Sequence, residues 1–321
     1  MASLGRTDLL GYPRPRIALR TATPGGSLRY LSYLLPWQFS PTALVIFALA
    51  AALYIRGLAV QRRLGAPEGF WRPFVFFTGL ALNYAVLQTY FDFLAQHMFW
   101  VHRLQHLILH HIGPVLLVLS APVAVLKAGL PQGVQRALRL PWIRAPLELL
   151  WRALQHPLLA PVLFVGLIYY WLTPSVHFTA MLDTRRYLLM NWSMLIDGIL
   201  FWWLILAPRE AQGRAAVGYG LRFVILAAVA VPQIVIGAYI ALVPWQIYSI
   251  YAVCGRAWAI SPMLDQQVGG LLTWIPGAMM SVVGVLVVLH HILHEAVPQR
   301  AAPGNARARA ASSHSSAGAA A

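Results

Sequence analysis

The chain carries little charge for its size. Of its 321 residues, 10% are charged and 59% are hydrophobic, whereas a soluble domain usually carries about 25% charge. The apolar residues also form long runs, which polar faces would interrupt in a soluble core. The composition excludes an ordinary soluble domain and predicts an all-α, polytopic membrane helical bundle.

Cysteine is almost absent. Cys254 is the single cysteine, so no internal disulfide can form and the chain has no C-x-x-C metal motif. The N-terminal stretch 1–20 has prolines where a cleaved signal peptide needs an apolar core, and we expect no such signal.

Acidic residues are scarce, with 9 Asp and Glu against 24 Lys and Arg and a net charge of +15. A positive charge of this size can indicate nucleic-acid binding. Here the arginines lie between apolar runs, where basic residues anchor loops and fix orientation. We therefore expect membrane lipid around the chain and no nucleic-acid partner.

About seven apolar runs are long enough to cross a membrane. They lie near residues 41–60, 73–95, 101–124, 157–173, 186–207, 219–243 and 269–293. We predict a basic Pro/Gly-rich N-terminal arm at 1–40, a seven-helix transmembrane domain at 41–295, and a disordered, basic Ala/Ser-rich tail at 296–321. The basic loop 128–156 is typical of short interfacial helices.

The distribution of basic residues predicts the orientation. More than half of the Lys and Arg lie in the loops after the first, third and fifth runs and in the C-terminal tail. Cytoplasmic loops collect positive charge, so we expect a multi-pass protein of the inner (plasma) membrane with its N-terminus outside and its C-terminus cytoplasmic. The basic N-terminal arm argues weakly against this orientation.

Histidine is concentrated at the start of the third run. His102, His106 and His110 recur every four residues, which displaces them by only about 40° per step around a helix. His111 lies beside this ridge and His97 lies upstream. Because imidazole binds metals and costs free energy to bury in lipid, the ridge favours a metal or haem site. A buried polar seam between helices is the alternative.

The predicted topology places further possible ligands on the outer side. Methionine and cysteine favour Cu(I), while imidazole binds copper, zinc or iron. Methionine in a membrane helix more often packs than binds a metal. The candidate metal-binding residues are His102, His106, His110, His97, His177, Met194 and Asp92.

Two other groups of polar residues lie elsewhere. Asp197 falls near mid-membrane, where a carboxylate must be paired, protonated or functional, and a structural hydrogen bond is as consistent with its position as proton or metal handling. His290, His291 and His294 end the last run at the predicted cytoplasmic surface. Polar groups there complement the helix dipole, which favours a structural role.

Three segments together resemble the CtaG family of cytochrome c oxidase assembly factors. They are HRLQHLILHHIGPVLLVLSAP (102–122), GILFWWLIL (198–206) and DQQVGGLLTWIPGA (265–278). The residues that match the most specific family motifs are His102, Gln105, His106, Asp265, Gln266, Gln267, Gly269 and Gly270. The resemblance implies a seven-helix inner-membrane chaperone for haem–copper oxidases, acting at a copper-delivery step with oxidase subunits and other copper carriers as partners.

The chain departs from the family pattern at two positions. A family histidine is replaced by Leu172, with His177 nearby, and another is replaced by Asn191, with Met194 nearby. The resemblance therefore implies that the ligand set is either rearranged or lost.

We predict that the protein is not an enzyme but an assembly factor that binds copper through the outer His/Met cluster and passes it to an oxidase subunit. One alternative is a membrane di-iron oxygenase or desaturase that uses both histidine clusters. A b-type haem protein with axial histidines is another. We also predict that the segment Asp265-Gln266-Gln267 caps the start of the last span through the Asp265 carboxylate and borders the metal-transfer surface. Gly269 and Gly270 should permit close helix packing.

Overall fold

The computed structural model describes residues 39–213 and 216–317, with side chains described up to Glu295 apart from residue 210. The predicted N-terminal arm 1–40 therefore lies almost wholly outside the described residues. Every regular element in the described part of the chain is helical, which confirms the predicted all-α class.

Fifteen helices and one π-helical segment, Ile108–Ile112, make up the described bundle. They are α1 Pro41–Arg63, α2 Trp71–Gln88, α3 Tyr90–His97, α4 Phe99–Leu107, α5 Gly113–Leu119, α6 Val123–Gly129, α7 Gln132–Ala137, α8 Pro141–Leu154, α9 Leu159–Leu172, α10 Pro174–Leu182, α11 Thr184–Leu206, α12 Arg209–Gln212, α13 Tyr219–Leu242, α14 Ile250–Cys254 and α15 Pro262–Ala317.

Four helices, namely α1, α11, α13 and the first part of α15, are each long and apolar enough to cross a membrane. Three further pairs of helices qualify only together, because each is bent: α2 with α3 by 56°, Phe99–Leu119 with α6 by 74°, and α8 with α9 by 67°. The described bundle therefore contains between four and seven candidate spans.

Helix α8 differs from a lipid-embedded span. It combines exposed Trp142 and Leu149 with Arg144, whose guanidinium bonds Glu148 one turn later at 2.5 Å. A helix with both an apolar and a charged face is typical of the membrane interface. Together with α7, it provides the short helices predicted in the loop 128–156.

The direction of the main helices alternates along the chain. Successive contacts of α4 with α15, Phe99 to Asp265 and then Arg103 to Thr273, show that these two helices are parallel. Helix α13 runs the other way, because Gly270 meets Ala241 whereas Gly284 meets Leu226. Helix α11 is also parallel to this direction, because His106 meets Asn191 and, four residues later, His110 meets Asp197. The starts of α4, α11 and α15 therefore lie at the same end of the bundle, which we call the histidine end.

Helix α15 continues to Ala317, and only its backbone is described after Glu295. The disorder expected for the tail 296–321 stays a prediction, and residues 318–321 lie outside the described part of the chain.

Candidate functional site

Three imidazoles lie together at the histidine end. The ring centroid of His102 is 4.3 Å from that of His106 and 5.1 Å from that of His177. The exposed fractions of the three residues are 0%, 1% and 0%. His102 and His106 follow one another on α4, whereas His177 comes from α10. The fold thus adds a distant histidine to the ridge, and we call these three residues the histidine cluster.

Arg103 determines the tautomer of His106. Its guanidinium lies 3.3 Å from Nδ1 of His106, and since a guanidinium can only donate, that nitrogen must accept. The proton of a neutral ring is therefore on Nε2, which donates to Oδ1 of Asn191 at 3.1 Å. Asn191 thus bonds to the cluster at a position where the family resemblance places a histidine.

The tautomer of His177 follows from the same reasoning. Nδ1 lies 3.1 Å from the carbonyl oxygen of Trp171, which can only accept, so Nδ1 carries the proton. Nε2 then accepts from the hydroxyl of Tyr251 at 3.0 Å. Burial raises the pKa of Tyr251 well above its usual range, so this hydroxyl remains a donor. The hydroxyl of Tyr251 therefore occupies the Nε2 lone pair of His177, which a metal ion would need in order to bind this ring.

His102 differs from its two neighbours because both of its ring nitrogens are buried and neither has a hydrogen-bond partner among the described residues. A buried polar atom that forgoes a hydrogen bond costs about 1–3 kcal/mol. Such an atom calls for an explanation, and an absent ion or water is among the usual ones.

Asp265 fixes the N-terminus of the histidine helix. Its fully buried carboxylate accepts from the backbone N–H groups of Phe99 at 3.2 Å and Trp100 at 2.9 Å, and from Arg256 at 3.2 Å. These N–H groups have no partner within α4, and a carboxylate there also complements the helix dipole.

The prediction that Asp265 caps its own helix was therefore wrong. The start of α15 is capped by Ser261, whose hydroxyl accepts from the N–H of Leu264 at 3.2 Å. Asp265 lies one turn into α15, and its carboxylate reaches across to α4 instead.

The rest of the DQQ-x-GG motif packs α15 against its neighbours. A Cβ on Gly269 would lie 2.3 Å from the ring of Phe99, and one on Gly270 would lie 2.5 Å from the backbone nitrogen of Ala241. The predicted close approach is confirmed on two sides of α15. Gln266 is buried and bonds the backbone of the loop after α13, whereas Gln267 is exposed.

Asp92 does not join the histidine cluster. Its Oδ1 accepts from the Tyr187 hydroxyl at 2.7 Å and from Gln105 at 2.9 Å, and its Oδ2 accepts from Gln96 at 2.9 Å. Gln105 also donates to the carbonyl of Val86. Asp92 and Gln105, both singled out in the sequence, thus form a buried network that borders the cluster through Tyr187, whose ring lies 6.1 Å from His102.

His110 belongs to a second polar group deeper in the bundle. Its Nε2 lies 3.0 Å from Oδ2 of Asp197, and Nδ1 has no partner. A cavity of about 10 Å³, enough for one water molecule, lies between His106, His110 and Arg103. The structure thus separates His110 from the histidine cluster and gives Asp197 an imidazole partner.

The other predicted ligands have simpler surroundings. Met194 is buried among apolar residues and reaches the same small cavity. His97 is half-buried and donates from Nδ1 to the carbonyl of Phe93 within its own helix, at 2.8 Å. Among the described residues, no group of three or more His, Cys, Asp or Glu side chains is arranged to hold a metal ion.

The histidines at the end of α15 lie far from the cluster. His290 follows Asp265 by 25 residues, which is about 37 Å along a helix. The rings of His290 and His294 are 4.4 Å apart. A di-iron enzyme would need both histidine groups at one metal pair, and the bundle separates them.

Three residues at the site were missed by sequence reasoning. Arg103 lies inside the best-matched motif and is only 4% exposed, yet an arginine in a membrane run is usually assigned to the interface. Tyr187 and Tyr251 carry no spacing signal. The one available indication for Tyr187 was its position four residues before Asn191, on the same helical face.

The fold and the site together define a class of protein. It is a helical bundle with several candidate membrane spans and a buried imidazole cluster near one end. The family model of the cytochrome c oxidase caa3 assembly factor (Caa3_CtaG) matches residues 52–295, which is more than half of the chain. The protein belongs to this family. The match confirms the resemblance seen in the sequence.

Curated relatives include uncharacterized proteins of Mycobacterium bovis and Mycobacterium tuberculosis, each 28% identical over 254 residues, which cover 74% of this chain and 36% of the relative. An uncharacterized protein of Mycobacterium leprae is 28% identical over 289 residues, 83% of this chain and 39% of the relative. This chain spans less than two fifths of the length of these relatives. No solved structure matches it.

Proposed function

We propose that this protein is an assembly factor, rather than an enzyme, that binds copper as cargo at the histidine cluster and transfers it to a cytochrome c oxidase subunit. The family match supports the assembly role. The single observation that carries the copper proposal is His102, whose two buried ring nitrogens have no partner beside two other imidazoles.

The donor set suits Cu(I). Imidazole binds copper readily, and Cu(I) accepts two or three nitrogen or sulfur ligands. His102 offers a free nitrogen in the described state. The hydroxyl of Tyr251 would have to leave Nε2 of His177 before that ring could bind, and His106 would have to release Arg103 from Nδ1 or give up its Nε2 proton. We expect binding to require this local rearrangement, since the described side chains do not yet converge on one point.

The same proposal places the protein in the cell inner membrane, with the histidine end outside. Copper must reach an oxidase subunit near the outer face, and the loop charges favour a cytoplasmic C-terminus. The helix directions fit this arrangement because the starts of α4, α11 and α15 share one end of the bundle.

The test is copper binding by purified protein under reducing conditions. We expect His102→Ala, His106→Ala and His177→Ala each to lower Cu(I) affinity by about tenfold or more, since each removes one ligand of a chelate. His156→Ala is the matched control, because His156 is exposed and lies outside the cluster. A strain carrying His102→Ala/His106→Ala should accumulate less active oxidase. Unchanged Cu(I) affinity in all three variants would exclude the cluster as the copper site.

A further inference from the structure

The histidine cluster has no direct access to solvent. His102, His106 and His177 are at most 1% exposed, so a cation that binds there must first pass a layer of other residues. Neither the family match nor the three imidazoles indicate from which side of the bundle the cation enters.

A pocket of about 230 Å³ lies directly outside this layer. Its outer wall is formed at the histidine end by the start of α1, at Ser40 and Pro41, and by Thr184 and Leu188 of α11. Its inner wall contains Asp92, Tyr187 and Asn191.

The inner wall touches the cluster directly. Asn191 accepts from Nε2 of His106 at 3.1 Å, and the ring of Tyr187 faces His102 with 6.1 Å between centroids. A single layer of side chains, Tyr187 and Asn191, therefore separates the pocket from two of the three imidazoles.

The pocket is chemically suited to a cation. Among the described residues, Asp92 is the one charged side chain in the lining of the pocket. A carboxylate in a cleft with low-dielectric walls concentrates cations. Tyr187, Gln105 and Gln96 occupy three of the roughly four acceptor positions of the carboxylate. Within the described part of the chain, roughly one acceptor position therefore remains for an incoming ion.

We propose that this pocket is the entry vestibule through which a monovalent soft cation, Cu(I), reaches the histidine cluster. Asp92 attracts the ion, and displacement of the Tyr187 and Asn191 side chains passes it to His102 and His106. This inference rests on the proposed function. In this proposal, Asp92 increases the rate at which Cu(I) reaches the histidine cluster, whereas the three histidines determine the affinity for Cu(I).

The experiment measures the rate and the extent of Cu(I) uptake separately. Detergent-solubilised full-length protein is mixed in stopped flow with Cu(I) bound to a weak chromogenic chelator, and the absorbance of the chelator complex is followed. We expect Asp92→Asn to slow uptake about tenfold at low salt, with the difference shrinking as salt screens the charge. The final amount of bound copper should equal that of the wild type, which also shows that the variant is folded.

Two matched controls isolate the pocket. Asp183→Asn makes the same chemical change at the same end of the bundle, outside the pocket lining, and keeps a side chain that caps α11. Leu188→Trp fills the pocket, whereas Leu189→Trp places the same ring on the next, more exposed residue, which does not line it. We expect slow uptake for Leu188→Trp and wild-type rates for Asp183→Asn and Leu189→Trp.

The outcomes distinguish this inference from the proposed function. Equal uptake rates for wild type, Asp92→Asn and Leu188→Trp would overturn the vestibule and leave the copper site standing. A lower final occupancy in Asp92→Asn, at an unchanged rate, would overturn it as well and make Asp92 a ligand. Absence of any Cu(I) uptake by the wild type would overturn both proposals.

Discussion

Asp265 illustrates how one carboxylate connects two helices. It lies in α15, yet it satisfies two backbone N–H groups at the start of α4 and pairs with Arg256. The histidine helix therefore owes its position to a residue about 165 positions away in the chain. His102 lies one turn beyond this cap, so the cap also fixes the height of the histidine cluster in the bundle.

The first prediction compares two caps at the histidine end. Asp265→Ala leaves two buried N–H groups and Arg256 without their acceptor, which we expect to destabilise the protein by about 2–4 kcal/mol. Ser261→Ala removes only the cap of α15 and should cost about 1 kcal/mol. Thermal unfolding of both variants in detergent measures the difference. Gln267→Ala, in the same motif but exposed, should match the wild type. If Asp265→Ala is no less stable than Ser261→Ala, the cross-helix cap contributes little.

The sequence identified most residues of the site correctly, but it predicted the role of some of them wrongly. His102, His106 and His177 were predicted, and the structure brings them together. Asp265 was assigned to the wrong helix because a cap was sought nearby in the sequence. The dipeptide Ser261-Pro262 is a familiar start signal that would have identified the local cap. The contact of Asp265 with Phe99 carries no local signal.

The π-helical segment shows how an element adapts to its neighbour. It places the carbonyl oxygen of His110 where the indole N–H of Trp202 donates to it at 3.1 Å. Gly198 permits the approach, because a Cβ there would lie 2.6 Å from the same oxygen. A π turn is uncommon and frequently occurs at functional sites, and here it carries both His110 and His111 into the bundle interior.

Trp202 and Trp203 are adjacent, but among the described residues only the indole N–H of Trp202 has a hydrogen-bond acceptor. Trp202→Phe leaves the carbonyl of His110 without its donor and should cost about 1–3 kcal/mol. Trp203→Phe is the control, since the indole nitrogen of Trp203 is buried without a partner. Both substitutions shrink a buried ring, but only Trp202→Phe also breaks a hydrogen bond, so Trp203→Phe should cost less. Thermal unfolding in detergent again provides the measurement. Equal losses for the two variants would show that the indole bond to the π segment is unimportant.

At the element scale, the long helices were predicted well and the bends were not. Hydrophobic runs identified α1, α11, α13 and the first part of α15 because length and composition suffice for a straight span. The π segment ends directly before Gly113-Pro114. Pro114 has no N–H to bond the carbonyl of His110, which lies four residues earlier. Neither Gly nor Pro marks the break between α2 and α3, so the 56° bend there had no sequence signal.

Alternating helix direction organises the whole molecule. Helices α4, α11 and α15 start at the histidine end, and α13 runs against them. The arrangement collects Asp92, the histidine cluster and Asp265 at one end and leaves His290 and His294 at the other. The helix directions are observed, whereas the side of the membrane that each end faces is a prediction from loop charges.

The third prediction concerns that orientation. A fluorescent protein that matures only in the cytoplasm, fused after Ala321, should give bright cells if the C-terminus is inside. The same reporter inserted in the loop 243–249, at the histidine end, should stay dark in an insertion that still accumulates in the membrane. A dark C-terminal fusion at normal protein level would reverse the orientation and place the histidine cluster inside.

The buried Arg103 has a consequence for how long a metal ion stays bound. Its guanidinium touches His106, and no carboxylate of the described residues pairs with it. A guanidinium cation so near the imidazoles would repel a metal cation bound to them, because like charges repel strongly in a poorly hydrated interior. A copper ion at the histidine cluster would therefore have a short residence time, as a relay needs and a storage protein does not.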